Sequence, residues 1–127
     1  MPIKGIITPL ETAKVQKAIA YIEHNYTENI SLDSLIEEVC LDRKVFRRVF
    51  RKLTSQTVHE YLLNVRISRA KEALCDFNLT ISQVAHRTGF SSGNHFTKVF
   101  RKLEGILPTD FRVLIIHCRH DQPAKSG

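Results

Sequence analysis

The sequence has no tryptophan, one methionine, four prolines, five glycines and three cysteines in 127 residues. So little proline and glycine leaves most of the chain free to be helical, and three of the glycines fall together between Gly89 and Gly105. Cys40, Cys75 and Cys118 are odd in number and form no C-x-x-C pair. That excludes a disulfide framework and a zinc knuckle, and points to small apolar residues in a reducing compartment. No apolar run approaches the roughly 20 residues of a membrane helix, and the start, Met1-Pro2-Ile3-Lys4-Gly5, lacks the charged and apolar regions of a signal peptide. The expectation is a soluble chain of the cytoplasm with no membrane partner. The P-loop, the dinucleotide glycine fingerprint, G-x-S-x-G and H-E-x-x-H are all missing, and Glu37 and Glu38, consecutive on a helix, cannot converge on one substrate atom. Neither enzymatic activity nor a cofactor is expected. His117, Cys118 and His120 suggest a metal cluster at first sight, but neighbouring helical positions diverge by about 100 degrees and no fourth ligand is evident, so no metal is expected either.

Hydrophobic residues make up 43% of the chain, enough for a core and too many for a disordered tail protein. The net charge of +6 is unevenly spread. Residues 1–42 carry three bases and seven acids, whereas residues 43–127 carry sixteen bases and six acids. Such asymmetry in a small protein points to a polyanionic partner for one face, with nucleic acid ahead of membrane or acidic protein.

Apolar spacing is helical throughout. Ala13, Val15, Ala18, Ile19, Ile22 and Tyr26 predict a first helix from about Thr12 to Asn25. Ser31 caps a second, carrying Leu32, Leu35, Ile36 and Val39, and Asp42 caps a third. A long fourth runs from Val58 to Asp76. Thr80 caps a short fifth that Gly89 stops, Ser91 or Ser92 starts a sixth, and Pro108 opens a seventh with Phe111, Leu114 and Ile115. The fold class is all-α.

The chain also repeats itself. Val49-Phe50-Arg51-Lys52-Leu53 recurs as Val99-Phe100-Arg101-Lys102-Leu103, and Phe46 matches Phe96. Upstream, Leu32, Leu35 and Leu41 match Ile81, Val84 and Phe90 at an offset shorter by one, so one residue is inserted near the start of the later helix. Each copy reads as a short capped helix, a tight turn and a second helix bearing bases, the layout of a helix-turn-helix. The third helix places Val45, Phe46, Val49, Phe50 and Leu53 on one side and Arg43, Lys44, Arg47, Arg48, Arg51 and Lys52 on the other. The sixth has the same stripe, Phe96, Val99, Phe100 and Leu103, opposite Asn94, His95, Thr97, Lys98, Arg101 and Lys102. Its mixed hydrogen-bonding face suits base edges, because Arg and Lys pair with guanine and Asn with adenine. The fourth helix, at roughly 1.5 Å per residue, has a length of the order of a DNA turn, which suits two reading heads in adjacent grooves.

On these residues the chain resembles the DNA-binding region of the AraC/XylS family of bacterial transcription regulators. The second copy carries the likeness best, through Ile81, Val84, Ala85, Thr88-Gly89-Phe90-Ser91, Phe96, Val99-Phe100-Arg101-Lys102, Gly105 and Pro108 to Phe111-Arg112. The linker Tyr61-Leu62, Arg66-Ile67 and Ala70-Lys71-Glu72-Ala73-Leu74 is similar too. The first copy departs from the pattern, with Ile36 for the usual Ala, Cys40 for Gly, Asp42 for Ser and Ser55 for Gly, and Cys40 is expected to hold a left-handed backbone at some cost.

The resemblance implies two helix-turn-helix subdomains, residues 12–56 and 78–118, joined by a linker helix at 57–77, with an N-terminal extension at 1–11 and a flexible tail at 119–127. It implies binding of double-stranded DNA at asymmetric sites, activation through RNA polymerase, and action in the cytoplasm at the nucleoid. By position, Lys44, Arg47 and Arg48 would read base edges in one groove, and Gly93, Asn94, His95, Thr97 and Lys98 in the next. Arg43, Arg51, Lys52, Arg101 and Lys102 would contact phosphates. The chain is expected to be either a stand-alone member of the family or a region of a larger regulator, and a monomer on DNA unless a dimerisation domain is missing. Two alternatives stay open: a sequence-independent nucleic-acid binder, for which the third helix alone suffices, and a basic module that binds an acidic protein.

Overall fold

The structure, a computed structural model, describes residues 6–121, with side chains as far as Ile116. Seven helices and no strand occur among the described residues: α1 Pro9–His24, α2 Leu32–Val39, α3 Arg43–Thr54, α4 Val58–Leu74, α5 Ile81–Arg87, α6 Gly93–Glu104 and α7 Pro108–Asp121. None is long and apolar enough to cross a membrane.

Side-chain caps set most of the boundaries. Ser31, Asp42, Thr80 and Ser92 each accept a backbone N–H from the first turn of α2, α3, α5 and α6. α1 starts earlier than the apolar spacing predicts, at Pro9 rather than Thr12, so residues 9–11 belong to a helix and not to an extension. Thr8 and Glu11 close a capping box there, with Thr8 Oγ1 accepting from Glu11 N at 3.1 Å and Glu11 Oε1 accepting from Thr8 N at 3.1 Å. α4 ends two residues short of the predicted Asp76, where Cys75 N and Asp76 N bond instead to Glu72 O and Ala73 O in a tightened last turn. α7 reaches Asp121 and so takes in the first residues of the expected tail. Residues 122–127 of that tail lie outside the described residues, as do the side chains of His117, Cys118 and His120.

The chain divides into two compact units, Met1–Val65 and Arg66–Gly127, and the division falls inside α4. The first unit buries Val15, Ala18 and Ile22 of α1, Leu35 and Val39 of α2, Phe46, Val49 and Phe50 of α3 and Leu62 of α4 in one core. The second buries Ile67, Ala70 and Leu74 of α4, Val84 and Ala85 of α5, Phe90, and Phe96 and Phe100 of α6. The internal repeat therefore extends further than the matching motifs. Val15, Ala18 and Ile22 have the spacing of Ile67, Ala70 and Leu74, and the edge contact of Phe50 with Tyr61 at 5.6 Å returns as that of Phe100 with Phe111 at 5.6 Å. Thus α4 is the last helix of the first unit and the first helix of the second.

Several side chains assigned to the apolar stripes are not buried. Leu53 is 41% exposed, Leu103 38% and Leu114 53%. Cys40 and Cys75 are free and exposed, not core residues. Cys40 does take the left-handed backbone expected of it, at φ 54°, as does Ser55 at φ 61°, whereas the second copy has Gly89 and Gly105 at these places. A side chain in that region costs about 1 kcal/mol or more. Ser55 is exposed and its side chain makes no hydrogen bond among the described residues. Ser55→Gly is accordingly expected to stabilise the protein by up to about 1 kcal/mol, read as a raised urea midpoint with unchanged slope; a lowered midpoint would contradict the strain.

Tyr61 in the first turns of α4 donates its hydroxyl to Glu23 Oε2 on α1. Burial, reinforced by the hydrogen bond and the charge of Glu23, pushes its pKa from 10.0 up to about 12. A raised phenol pKa favours the protonated folded form, so this contribution to stability is complete below about pH 10 and is lost as the pH rises toward 12. The pH dependence of unfolding in that window is expected to flatten in Tyr61→Phe; an unchanged alkaline slope would rule Tyr61 out as its source.

Candidate nucleic-acid interface

The two copies build one local structure twice. In the first, α2 ends at Val39, Cys40 turns the chain through its left-handed backbone, and Asp42 caps α3 by accepting from Lys44 N at 3.0 Å and Val45 N at 3.4 Å. In the second, α5 ends at Arg87, Gly89 turns the chain at φ 95°, and Ser92 caps α6 by accepting from His95 N at 3.1 Å. Thr88 is buried there and donates its hydroxyl to Val84 O at 2.8 Å, so this buried polar group is paired. Phe90 stays in register with Leu41 and Ser92 with Asp42, so the inserted residue of the second copy is Ser91.

Burying Phe46, Val49 and Phe50 commits one side of α3 and leaves Arg43, Lys44, Arg47, Arg48, Arg51 and Lys52 exposed on the rest. Arg43 differs from the others: its guanidinium pairs with Asp33 of α2. Its predicted role on phosphate would require that exposed pair to open, at a cost of at most about 1 kcal/mol. The remaining five make no ion pair among the described residues. Unneutralised cations at this density on one helix repel one another and gain from a polyanion.

On α6, Phe96 and Phe100 are buried and Asn94, His95, Lys98, Arg101 and Lys102 are exposed. Thr97 and Gly93 are half-buried. A Cβ on Gly93 would meet the Ser82 backbone of α5 at an ordinary 3.9 Å, so packing does not demand glycine there. The His95 ring packs edge-on against Phe90, with centroids 5.5 Å apart, so its orientation is partly set by the core and not by solvent. At the far end, Lys71 of α4 holds Glu104 at 3.1 Å, which leaves Arg101 and Lys102 without an acid partner among the described residues.

Two further groups hold the second unit in shape. Arg112 donates to Leu74 O, a carbonyl that the end of α4 leaves open, and to Asp76 O in the turn that follows, both at 3.0 Å. The Arg66 guanidinium lies 5.8 Å from the centre of the Phe90 ring. Sequence reasoning missed His59, which lines one groove with Arg47, Arg48 and Arg51, and gave Ser31, on the same groove, only as a cap. Thr57-x-x-Glu60 was the available signal, because this second capping box fixes where α4 begins and so brings His59 to the groove. Among the described residues, no three His, Cys, Asp or Glu side chains are placed to hold a metal.

Comparison with known proteins agrees with this arrangement. Residues 35–113 match the family model described as a helix-turn-helix domain. The transcriptional regulator ArgR of Pseudomonas aeruginosa is 30% identical over 99 residues, covering 78% of this chain and 30% of ArgR. This chain thus spans well under two thirds of the length of such curated relatives. Among solved structures, an AraC-type DNA-binding-domain regulator from Chromobacterium violaceum superposes with a TM-score of 0.73 at 28% identity, over 88% of this chain and 96% of that one. The DNA-binding domain of AdpA, solved in complex with a target DNA, shares the fold with a TM-score of 0.78 at 24% identity, over 86% and 98% of the two chains. The chain belongs to the helix-turn-helix domain family of AraC type.

Proposed function

We propose that this chain is a sequence-specific DNA-binding transcription regulator, acting as an activator, and that α3 and α6 enter adjacent major-groove segments of one asymmetric site. The observation that carries the reading is the duplication of one capped helix whose apolar side is buried and whose other side, Arg43 apart, keeps bases without an acid partner among the described residues. Lys44, Arg47 and Arg48 read bases from α3, and Asn94, Thr97 and Lys98 from α6, with Gly93 giving close approach and His95 a hydrogen bond from a ring already oriented by Phe90. Arg43, Arg51, Lys52, Arg101 and Lys102 hold phosphates. The different faces of the two helices, cationic on α3 and mixed on α6, favour selective reading over the sequence-independent binding that α3 alone would give. The AdpA domain, whose fold this chain shares, was solved on a target DNA, which supports the same class of partner.

The chain engages RNA polymerase while bound, works at the nucleoid, carries out no catalysis, and, unless a dimerisation domain is missing, binds as a monomer because it already holds two reading helices. Sequencing the pool that this protein retains from a random duplex library tests the reading. Enrichment of a defined site is expected, and retention without enrichment contradicts it.

A further inference from the structure

A groove of about 580 Å³ opens on the first unit beside α3. Its walls are of two kinds. Ile30, Leu32, Val58 and Leu62 supply apolar surface, and Arg47, Arg48 and Arg51, none of which makes an ion pair among the described residues, line it with them. His59, exposed at the start of α4, adds a fourth nitrogen group. The volume falls within the roughly 300–1,000 Å³ range of small-molecule sites, and an apolar surface with a few convergent polar groups is the usual make-up of one. A second hollow, of about 290 Å³ between α1 and α2, is lined by Lys17, His24 and Glu38 in mixed charge and has no comparable preference.

We propose that the groove beside α3 binds a small aromatic carboxylate, whose occupancy competes with DNA for Arg47, Arg48 and Arg51. The carboxylate answers the three unpaired guanidinium groups, which match its planar geometry. An aromatic body suits the rest, because it covers the apolar wall and offers a face on which a guanidinium stacks. A free phosphate or sulfate would leave the apolar wall wet, and a neutral hydrocarbon would leave the arginines unanswered. The competitive half rests on the reading of α3 as a DNA-contacting helix, because the groove shares Arg47, Arg48 and Arg51 with that surface. The binding half does not depend on it.

The test uses the full chain with 2-naphthoate as probe and 2-naphthalenemethanol as its neutral counterpart. Binding is followed by backbone amide shifts, and DNA affinity separately by anisotropy on a labelled duplex. Saturable shifts confined to residues 30–32, 47–51 and 56–62 are expected with naphthoate, and a response at least tenfold weaker with the alcohol. With naphthoate at about ten times its own Kd, the apparent Kd for DNA is expected to rise roughly tenfold. Ile30→Trp fills the groove without touching a residue assigned to DNA, and is expected to lose naphthoate binding while keeping DNA affinity within about twofold; its one-dimensional amide spectrum reports whether it is folded, and the wild-type comparison of acid with alcohol stands without it. Absence of saturable shifts, equal binding of the alcohol, or shifts spread equally over α6 overturns the site. Binding at the groove with DNA affinity unchanged overturns the competition. A chain that binds naphthoate at the groove but no duplex at all contradicts the DNA reading and leaves the carboxylate site standing.

Discussion

Arg47→Ala is expected to relax the choice of base at one position of the DNA site by about 1–3 kcal/mol, with a much smaller effect on unrelated DNA. Arg47 is exposed on α3, one turn beyond the Asp42 cap, on the flank about 80 degrees round from the buried Phe46 and Phe50. A guanidinium there presents two parallel donors to a guanine edge, and removing it deletes a contact that discriminates among bases. Arg51 lies one turn later on the same helix. Arg51→Ala is expected to weaken every duplex alike and to lower the slope of log affinity against log salt by about 1, because a phosphate contact carries charge and no sequence. Competition binding on a panel of single-base variants, repeated at several salt concentrations, separates the two substitutions. Equal losses from both, blind to sequence, would remove α3 from base reading and leave it as an electrostatic anchor.

Phe100→Ala is expected to cost about 3–5 kcal/mol of stability. The ring is fully buried and meets Phe96 at 5.6 Å and Phe111 at 5.6 Å, so it joins the middle of α6 to the first turn of α7. Truncation leaves a cavity whose other walls are held by two aromatic rings and cannot easily close. Domains of this size have about 5–15 kcal/mol in total, so the second unit of the variant would sit close to unfolding, and α6 would lose its fixed presentation to DNA. Urea unfolding followed by circular dichroism reads the loss. A change below about 1 kcal/mol would mean that the aromatic cluster is dispensable and that α6 is held by its caps alone.

Helix order, caps and the core residues of both copies are legible in the sequence because they depend on local rules. Ser31, Asp42, Thr80 and Ser92 each stand just before an apolar spacing of helical period, and each caps. The start of α1 escapes for the opposite reason. Leu10 is exposed, so the first turn shows no apolar periodicity, and the Thr8-Pro9-Leu10-Glu11 cap carries the only signal. Leu53 and Leu103 lie on the expected side of their helices, within about 20 degrees of Phe46 and Phe96, yet they stay exposed. Angle alone does not bury a side chain.

The base-bearing faces are legible from charge, but the partners that distinguish their members are not. The pairing of Arg43 with Asp33 and the packing of His95 on Phe90 join residues whose meeting depends on how two segments pack. The groove shared by Ile30, Arg47 and His59 is likewise a product of three elements, and no spacing along one helix announces it. By contrast, the left-handed Cys40 is foreseen, because it stands where the family pattern has glycine, and the second copy has Gly89 at the equivalent turn.

Selection from a random duplex library at about 0.15 M salt, followed by sequencing of the retained pool, tests the central claim most directly. Two units of the same build, each with its own reading helix, predict enrichment of one long asymmetric motif with two blocks about one helical turn apart. A pool that is retained but shows no enrichment would contradict sequence-specific reading, and a single short block would contradict reading by both helices.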